Sequence, residues 1–129
     1  MSSTPKLPYF VSPEYDNSMT ADVDLSTYTN RLLKATSTGV DLCGAAGDSI
    51  GILYNAPTLG QYAEVVVEAE LATGVAGAAI SATGLALKPA ANGKLTPASS
   101  GDQCVGISRS TASGDGVLVA FFPSKFQAA

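Results

Sequence analysis

The chain contains no histidine, and this composition limits the chemistry that its other polar residues can perform. Histidine is the commonest general base and the commonest metal ligand in proteins. Without it, serine and cysteine nucleophiles lack the partner that activates them in Ser-His-Asp and Cys-His arrangements. We therefore expect no enzyme activity and no catalytic residues.

Three Gly-Asp pairs are the most conspicuous polar motif. Gly47-Asp48-Ser49 looks like the nucleophile block of a lipase-like family, but that chemistry needs a histidine base. The pair recurs at Gly101-Asp102 and Gly114-Asp115. An aspartate after glycine commonly bonds nearby backbone amides in a turn. We interpret all three pairs as turns.

Two groups of carboxylates are alternative sites. Glu64, Glu68 and Glu70 alternate along one stretch and are the candidates for acid–base catalysis, although such a row is more often a solvated strand face. Asp48, Asp102 and Asp115 are the candidates for a cation site, although no loop has the ligand pattern of an EF-hand. We favour the structural interpretation of both groups.

The chain also lacks the signals of cofactor attachment. Cys43 and Cys104 without histidine cannot form a standard zinc site, so we interpret them as buried thiols, with a disulfide as the alternative. Asn92-Gly93-Lys94 is typical of a hairpin turn, and its neighbours differ from those of lipoylated or biotinylated lysines. No cofactor and no metal are expected.

Composition places the chain among globular proteins with one domain. Its 129 residues are 46% hydrophobic, rich in small side chains, and carry a net charge of −4. The seven basic residues are scattered, which disfavours a nucleic-acid partner. No apolar run reaches membrane-spanning length and no secretory signal precedes the first strand, so we expect no membrane partner and synthesis in a cytoplasm.

Residues 1–25 differ from the rest and are predicted to form an extended N-terminal arm. Three prolines disfavour a helix or a central strand here. The apolar residues of the arm are its candidate contact residues. They are Pro8, Tyr9, Phe10, Val11 and Tyr15. Their rings dock either on the arm's own domain or on a neighbouring protein.

Residues 26–129 have the pattern of a single all-β domain, a small antiparallel β-barrel or sandwich of two similar halves. Short apolar runs end at Gly, Pro, Asn or Ser, which predicts short strands and tight turns. Strands are predicted at 31–35, 40–43, 49–54, 62–71, 85–87, 94–96, 104–109 and 116–122, with a crossover at 72–82. The strand at 62–71 alternates and should expose its glutamates, whereas the last strand is apolar on both faces and should be buried on both.

The two halves repeat a common phrase. Residues 31–71 and 84–122 each contain a lysine at the first strand's end, then a Gly-Asp pair, then a glycine inside a strand at Gly51 or Gly106. In both halves the repeated pattern ends with a valine-rich run, and this aligns Val65 with Val117. The glycines predict a bulge or a close backbone approach at equivalent points.

Four segments of the second half carry a resemblance to a known family. They are Ala76-Gly-Ala-Ala-Ile80-Ser-Ala-Thr-Gly84-Leu-Ala-Leu87, Asn92-Gly-Lys-Leu-Thr96, Cys104-Val-Gly-Ile-Ser108 and Gly114-Asp-Gly-Val-Leu-Val119. Together they resemble the small capsid decoration, or cement, proteins of tailed bacteriophages. The likeness covers residues 72–122, is weaker over 31–71, and departs at Thr83-Gly84, where Gly-Asp is commoner.

The resemblance implies a head-stabilising protein of the virion. Such a protein is a compact β domain, often a homotrimer, that binds the outer capsid surface between major capsid subunits with help from an N-terminal arm. No catalytic residue carries over. Other interpretations stay open: a tail or fibre module, a soluble sugar- or metal-binding β module, and a hydrolase that uses only carboxylates.

Overall fold

The computed structural model describes residue 8, residues 10–45 and residues 48–129, and in these ranges short apolar runs form ten strands. The strands are β1 (Glu14–Asp16), β2 (Leu32–Ala35), β3 (Val40–Leu42), β4 (Gly51–Leu53), β5 (Val65–Glu68), β6 (Ala72–Val75), β7 (Ala86–Ala90), β8 (Lys94–Pro97), β9 (Gln103–Ser108) and β10 (Leu118–Gln127). A single 3-10 turn, Ala91–Gly93, connects β7 to β8 within the described ranges.

The strands form two antiparallel five-stranded sheets that pack face to face. The first sheet has the order β1-β5-β4-β2-β3 and the second has the order β6-β10-β9-β7-β8. The sheets do not close into a barrel, so the fold is an open sandwich. The prediction of an all-β fold is confirmed.

The two sheets are built to the same plan, because each strand of the first has its equivalent five strands later in the second. Bonds outside the strands repeat as well. The Leu25 N–H donates to the Pro57 carbonyl, and the Ile80 N–H donates to the Ala112 carbonyl, each at 2.9 Å. The prediction of two similar halves is confirmed, and the likeness extends to the arm, since β1 corresponds to β6.

Two residues with left-handed backbone occupy the same place in the two halves. Asn30 (φ 69) donates its N–H to the Leu53 carbonyl, and Gly84 (φ 81) donates its N–H to the Ser108 carbonyl, each at 2.7 Å. Glycine adopts this conformation without cost, and asparagine is among the residues that tolerate it best. The halves therefore share a turn in which a threonine, Thr29 or Thr83, precedes two different residues with left-handed backbone.

The glycines inside β4 and β9 are equivalent, as the sequence predicts. Gly51 lies opposite Leu33 and Gly106 lies opposite Leu87. A Cβ atom at Gly51 would overlap the Val66 carbonyl oxygen, and one at Gly106 would overlap the carbonyl oxygen of residue 122. Both glycines therefore permit a close approach of neighbouring backbones, the role that an in-strand glycine indicates.

The valine-rich runs that close the two halves are aligned differently from the sequence prediction. Leu53 lies opposite Val65, and Ser108, the equivalent of Leu53, lies opposite Phe121. The equivalent of Val65 is therefore Phe121 and not Val117. Because every residue from 117 to 122 is apolar, the sequence does not show which of them aligns with Val65.

The crossover predicted at 72–82 is wrong for its first four residues. Ala72–Val75 is β6, an entirely buried strand that pairs with β10 at the edge of the second sheet. Small residues are required because a Cβ at Gly74 would lie 2.5 Å from the Leu95 Cδ1. The following connection adds Ala76 and Ile80 to the core.

Two cores cover both faces of the first sheet. The main core, between the sheets, contains the buried side chains of Leu32, Cys43, Ile52, Val66, Ala72, Ala76, Ile80, Leu87, Leu95, Ala112, Val119 and Phe121. The small core, on the other face of the first sheet, contains Ala21, Leu25, Leu33, Val40, Leu53, Ala63 and Val65. Residues 19–30, which include Leu25, thus cover this face of the first sheet.

This arrangement reverses two predictions about burial. Neighbouring Val65 and Val66 are both buried, in different cores, whereas Val67 is 40% exposed, so the strand at 62–71 does not have one buried and one solvated face. The last strand was expected to be buried on both faces, yet Phe122 is 44% exposed. The sheet with two covered faces is the first one, because residues 19–30 cover it.

Both cysteines are buried and free, which confirms their interpretation as thiols. Cys43 lies in the main core, and Cys104 lies in β9. Burial raises the pKa of each thiol above its usual value. The neutral thiol is the form that the fold favours.

We expect Gly51→Ala and Gly106→Ala each to lower the free energy of unfolding by about 1–3 kcal/mol, because the added methyl group displaces a paired backbone. Urea unfolding followed by far-UV circular dichroism measures the change. Gly114→Ala is the matched control, since nothing lies within 4 Å of its Cβ position. Equal effects at all three glycines would contradict the assignment.

The pH dependence of stability should be a plateau with two edges. Lowered pKa values of Asp16, Asp24, Asp102 and Asp115, due mainly to hydrogen bonds that their carboxylates accept, stabilise the fold above about pH 4, and this contribution is lost as pH falls through those values. The raised thiol pKa values should reduce stability above about pH 8.5.

Urea titrations at a series of pH values measure this profile. Because the chain has no histidine, the free energy of unfolding should be nearly constant between about pH 5 and 8. Replacing both cysteines with alanine should remove the thiol contribution to the alkaline edge and leave the acid edge in place. A free energy of unfolding that changes steadily with pH near neutrality would contradict this assignment of the titrating groups.

Candidate interaction surface

The predicted contact residues of the arm differ in how they meet the domain. Pro8 is exposed, Phe10 is half-buried and packs against the main core, and Val11 pairs through its backbone with Leu71. Tyr15, in β1, is 46% exposed. Tyr9 lies outside the described residues. Phe10 and Val11 therefore contact their own domain, whereas Tyr15 presents much of its ring to the surroundings.

The arm is fixed to the first sheet at two places. The Val11 N–H donates to the Leu71 carbonyl and the Glu70 N–H donates to the Val11 carbonyl, each at 2.9 Å. Strand β1 then pairs with β5, with Tyr15 opposite Val66. Between them Ser12 has a positive φ of 49°, which turns the chain from one pairing to the next. The arm presents its side chains from a defined backbone.

An aromatic cluster joins the arm to the end of β4. The Tyr54 ring lies 5.5 Å from the Phe10 ring and 5.3 Å from the Tyr15 ring, both in edge-to-face arrangements. Edge-to-face pairs at this spacing are attractive beyond the area that they bury. We call Phe10, Tyr15 and Tyr54 the aromatic cluster. Tyr54 is 44% exposed and Tyr15 is 46% exposed, so two of the three rings of the aromatic cluster remain accessible.

The phenol of Tyr15 is held in its neutral form. Partial desolvation raises the pKa of the Tyr15 phenol, and the neighbouring Tyr54 hydroxyl and Glu64 carboxylate raise it further. A raised pKa keeps the phenol protonated, so it can donate a hydrogen bond while its ring makes apolar contacts. Exposed tyrosines of this kind are enriched at protein–protein interfaces.

Sequence reasoning missed Tyr54, which follows β4 far from the arm in the chain. It was assigned only to the end of a predicted strand. No local sequence pattern distinguishes Tyr54, because the pairing of β1 with β5 is what brings Phe10 and Tyr15 next to it. The one available signal was that a large aromatic residue follows the strand immediately before a loop.

The carboxylates considered for chemistry are dispersed. Glu68 and Glu70 are exposed, and Glu64 is half-buried. Within the described ranges, no group of three or more Asp, Glu or Cys side chains is arranged to hold a metal ion. The structure therefore does not bring together Asp48, Asp102 and Asp115 as a cation site.

Two of the Gly-Asp aspartates instead have structural partners. The Asp102 carboxylate accepts the Ser99 N–H at 2.8 Å and pairs with Lys88 at 3.2 Å. The Asp115 carboxylate pairs with Lys94 at 2.7 Å. The turn interpretation is confirmed at Asp102, while Gly47 lies outside the described residues.

The Asn-Gly hairpin before Lys94 is also confirmed. Asn92 (φ 61) and Gly93 (φ 70) both have left-handed backbone, in the three-residue loop Ala91–Gly93 between the paired residues Ala90 and Lys94. The amine of Lys94 is held by its ion pair with Asp115.

Comparison of the chain with protein-family models, with curated proteins and with solved structures finds no match. In the described part of the chain, no helix has the length and apolar character needed to cross a membrane.

Removing the Tyr54 ring should loosen the arm. We expect Tyr54→Ala to reduce the free energy of unfolding by about 1 kcal/mol, because two edge-to-face contacts are lost. Amide exchange at Val11 and Glu70, which report the arm's backbone bonds, should become faster. Tyr62→Ala is the control, since this more exposed tyrosine takes part in no ring contact among the described residues. Unchanged exchange in Tyr54→Ala would contradict the role of the cluster.

Proposed function

We propose that the chain is a non-enzymatic capsid decoration protein. It binds the outer surface of a bacteriophage head between major capsid subunits, as a homotrimer, and stabilises the shell. The resemblance of residues 72–122 to phage cement proteins supports this proposal. So does the sandwich fold, which agrees with the compact β domain that the resemblance implies.

The observation that carries the proposal is the accessible aromatic cluster on a fixed arm. Rings whose backbone is already ordered lose little conformational entropy when they bind. Tyrosines in such positions are the residues that most often dominate an interface. The proposed contact to the capsid is therefore made by Tyr15 and Tyr54, with Pro8 as a further exposed residue of the arm.

The absence of histidine supports the non-enzymatic part of the proposal. A protein that stabilises a shell needs only surfaces. A modest free energy per copy is sufficient, because many identical copies each bind the assembled shell and not its separated subunits.

The test uses expanded, undecorated heads of the phage that encodes the chain. Purified protein should co-sediment with these heads and raise the temperature at which they disrupt. Tyr15→Ala should weaken the binding about tenfold, because it removes an exposed interface ring. The control is Tyr28→Ala, a tyrosine outside the aromatic cluster. Folded protein that fails to associate with the heads would overturn the proposal, and equal binding by both variants would overturn the assigned contact.

A further inference from the structure

A cleft of ≈ 550 Å³ opens between the two sheets at the end where the arm joins β5. Its floor includes the buried side chains of Ile52 and Val66 from the first sheet and Phe121 from the second. Val67, which is 40% exposed, also lines it. The cleft therefore has an apolar interior that the chain's described residues leave accessible.

The cleft lies where two strands of the first sheet separate. Pairing between β4 and β5 includes Leu53 with Val65 and Ile52 with Val66, and ends there, although β5 continues to Glu68. The Tyr54 N–H donates to the Glu64 carbonyl at 2.8 Å. Beyond Val66 the register of β5 with β1 is irregular, with Glu68 opposite Glu14, so β5 follows the arm and leaves β4.

The second sheet shows what can occupy the equivalent position. There β10 passes a bulge after Pro123 and pairs again with β9, through Phe126 opposite Cys104 and Gln127 opposite Gln103. In the first sheet the equivalent of Cys104 is Ser49, which lines the cleft. The first sheet thus has, beside its β4, a position that none of the described residues fills and that an extended segment fills in the second.

The rim of the cleft selects the charge of its occupant. Glu14, Glu68 and Glu70 line it, and Glu14 lies opposite Glu68 on the neighbouring strand. Two like charges in opposite positions are unfavourable without a cation between them. None of the three carboxylates forms an ion pair with another described residue. Lys125 is the only basic residue among those that line the cleft.

We propose that this cleft binds an extended peptide segment of a partner protein, in which apolar and basic side chains alternate. The segment lies extended beside Ser49, as the tail lies beside Cys104 in the second sheet. Its apolar side chains cover the floor, and its basic side chains pair with the glutamates. The tail segment that fills the position in the second sheet, Ser124–Gln127, itself carries a basic and an aromatic residue. The inference does not depend on the capsid proposal, because it rests on a different surface.

The direct test uses a short synthetic peptide with alternating lysine and valine and one central tryptophan. The chain contains no tryptophan, so the peptide's emission reports its own environment. We expect a saturable blue shift with the full chain. A counterpart with glutamate in place of lysine should bind about tenfold more weakly. Equal binding of the two peptides, or binding of neither, would overturn the proposal.

Variants locate the peptide. Glu68→Gln combined with Glu70→Gln should weaken binding about fivefold and reduce its dependence on salt, since two exposed ion pairs are lost. Glu64→Gln is the matched control, because Glu64 precedes the same strand and does not line the cleft. Val67→Lys should abolish binding by placing a cation in the cleft. If the double variant binds as tightly as the control, the peptide lies elsewhere and the proposal fails.

Amide exchange distinguishes strand addition from contact by side chains alone. The Ser49 amide should exchange at least about tenfold more slowly with the peptide bound, because the equivalent Cys104 lies opposite Phe126 and an added strand gives Ser49 a new hydrogen bond. Unchanged exchange at Ser49 in the bound state would overturn the proposal. Light scattering tests the other occupant: if the chain self-associates and Val67→Lys abolishes this, a second copy fills the cleft and the proposal of a partner peptide is wrong.

Discussion

Packing of the first sheet's inner face against the inner face of the second sheet is the interaction on which the molecule depends. Leu32, Ile52 and Val66 project from the first sheet onto Leu87 and Phe121 of the second. Each half alone is a small sheet that cannot bury both of its apolar faces. Joining the two halves creates the main core. Because both sheets have the same strand order, equivalent strands of each half supply the two surfaces that meet there. The small core under Leu25 then closes the remaining face of the first sheet.

This unequal covering explains where binding surfaces remain. The first sheet is covered on both faces, so its accessible features lie at its edge, where the arm, the aromatic cluster and the cleft occur. The arm and the cleft share residues 12–14 as a border but present different chemistry: neutral tyrosine rings on one side and an apolar floor rimmed by carboxylates on the other. A protein that holds two partners, or one partner at two places, needs such separate surfaces.

The sequence predicted the features that local residue type determines. In-strand Gly51 and Gly106 indicated close backbone approach, and Asn92-Gly93 indicated a hairpin, because glycine and asparagine are selected by backbone geometry at single positions. All-β class followed from the spacing of turns. Burial was predicted less well. Val65 and Val66 are both buried, which requires a second core, and residues 19–30, which cover that core, have no periodicity that predicts their burial.

The candidate surface was predictable only in part for the same reason. Tyr15 was identified because it is one of the apolar residues of the arm, whereas Tyr54 joins it through strand pairing that no local pattern encodes. Strand β6 was missed because alanine, threonine and glycine give a weak strand signal, although their small volume is what its buried edge position requires.

The most direct test of the proposed capsid role is a density map of expanded phage heads to which the purified chain has been added. The proposal predicts three copies of the sandwich together on the outer shell, between major capsid subunits and with Tyr15 and Tyr54 against them. Density for the sandwich on the tail, or on the shell with the aromatic cluster facing solvent, would contradict it.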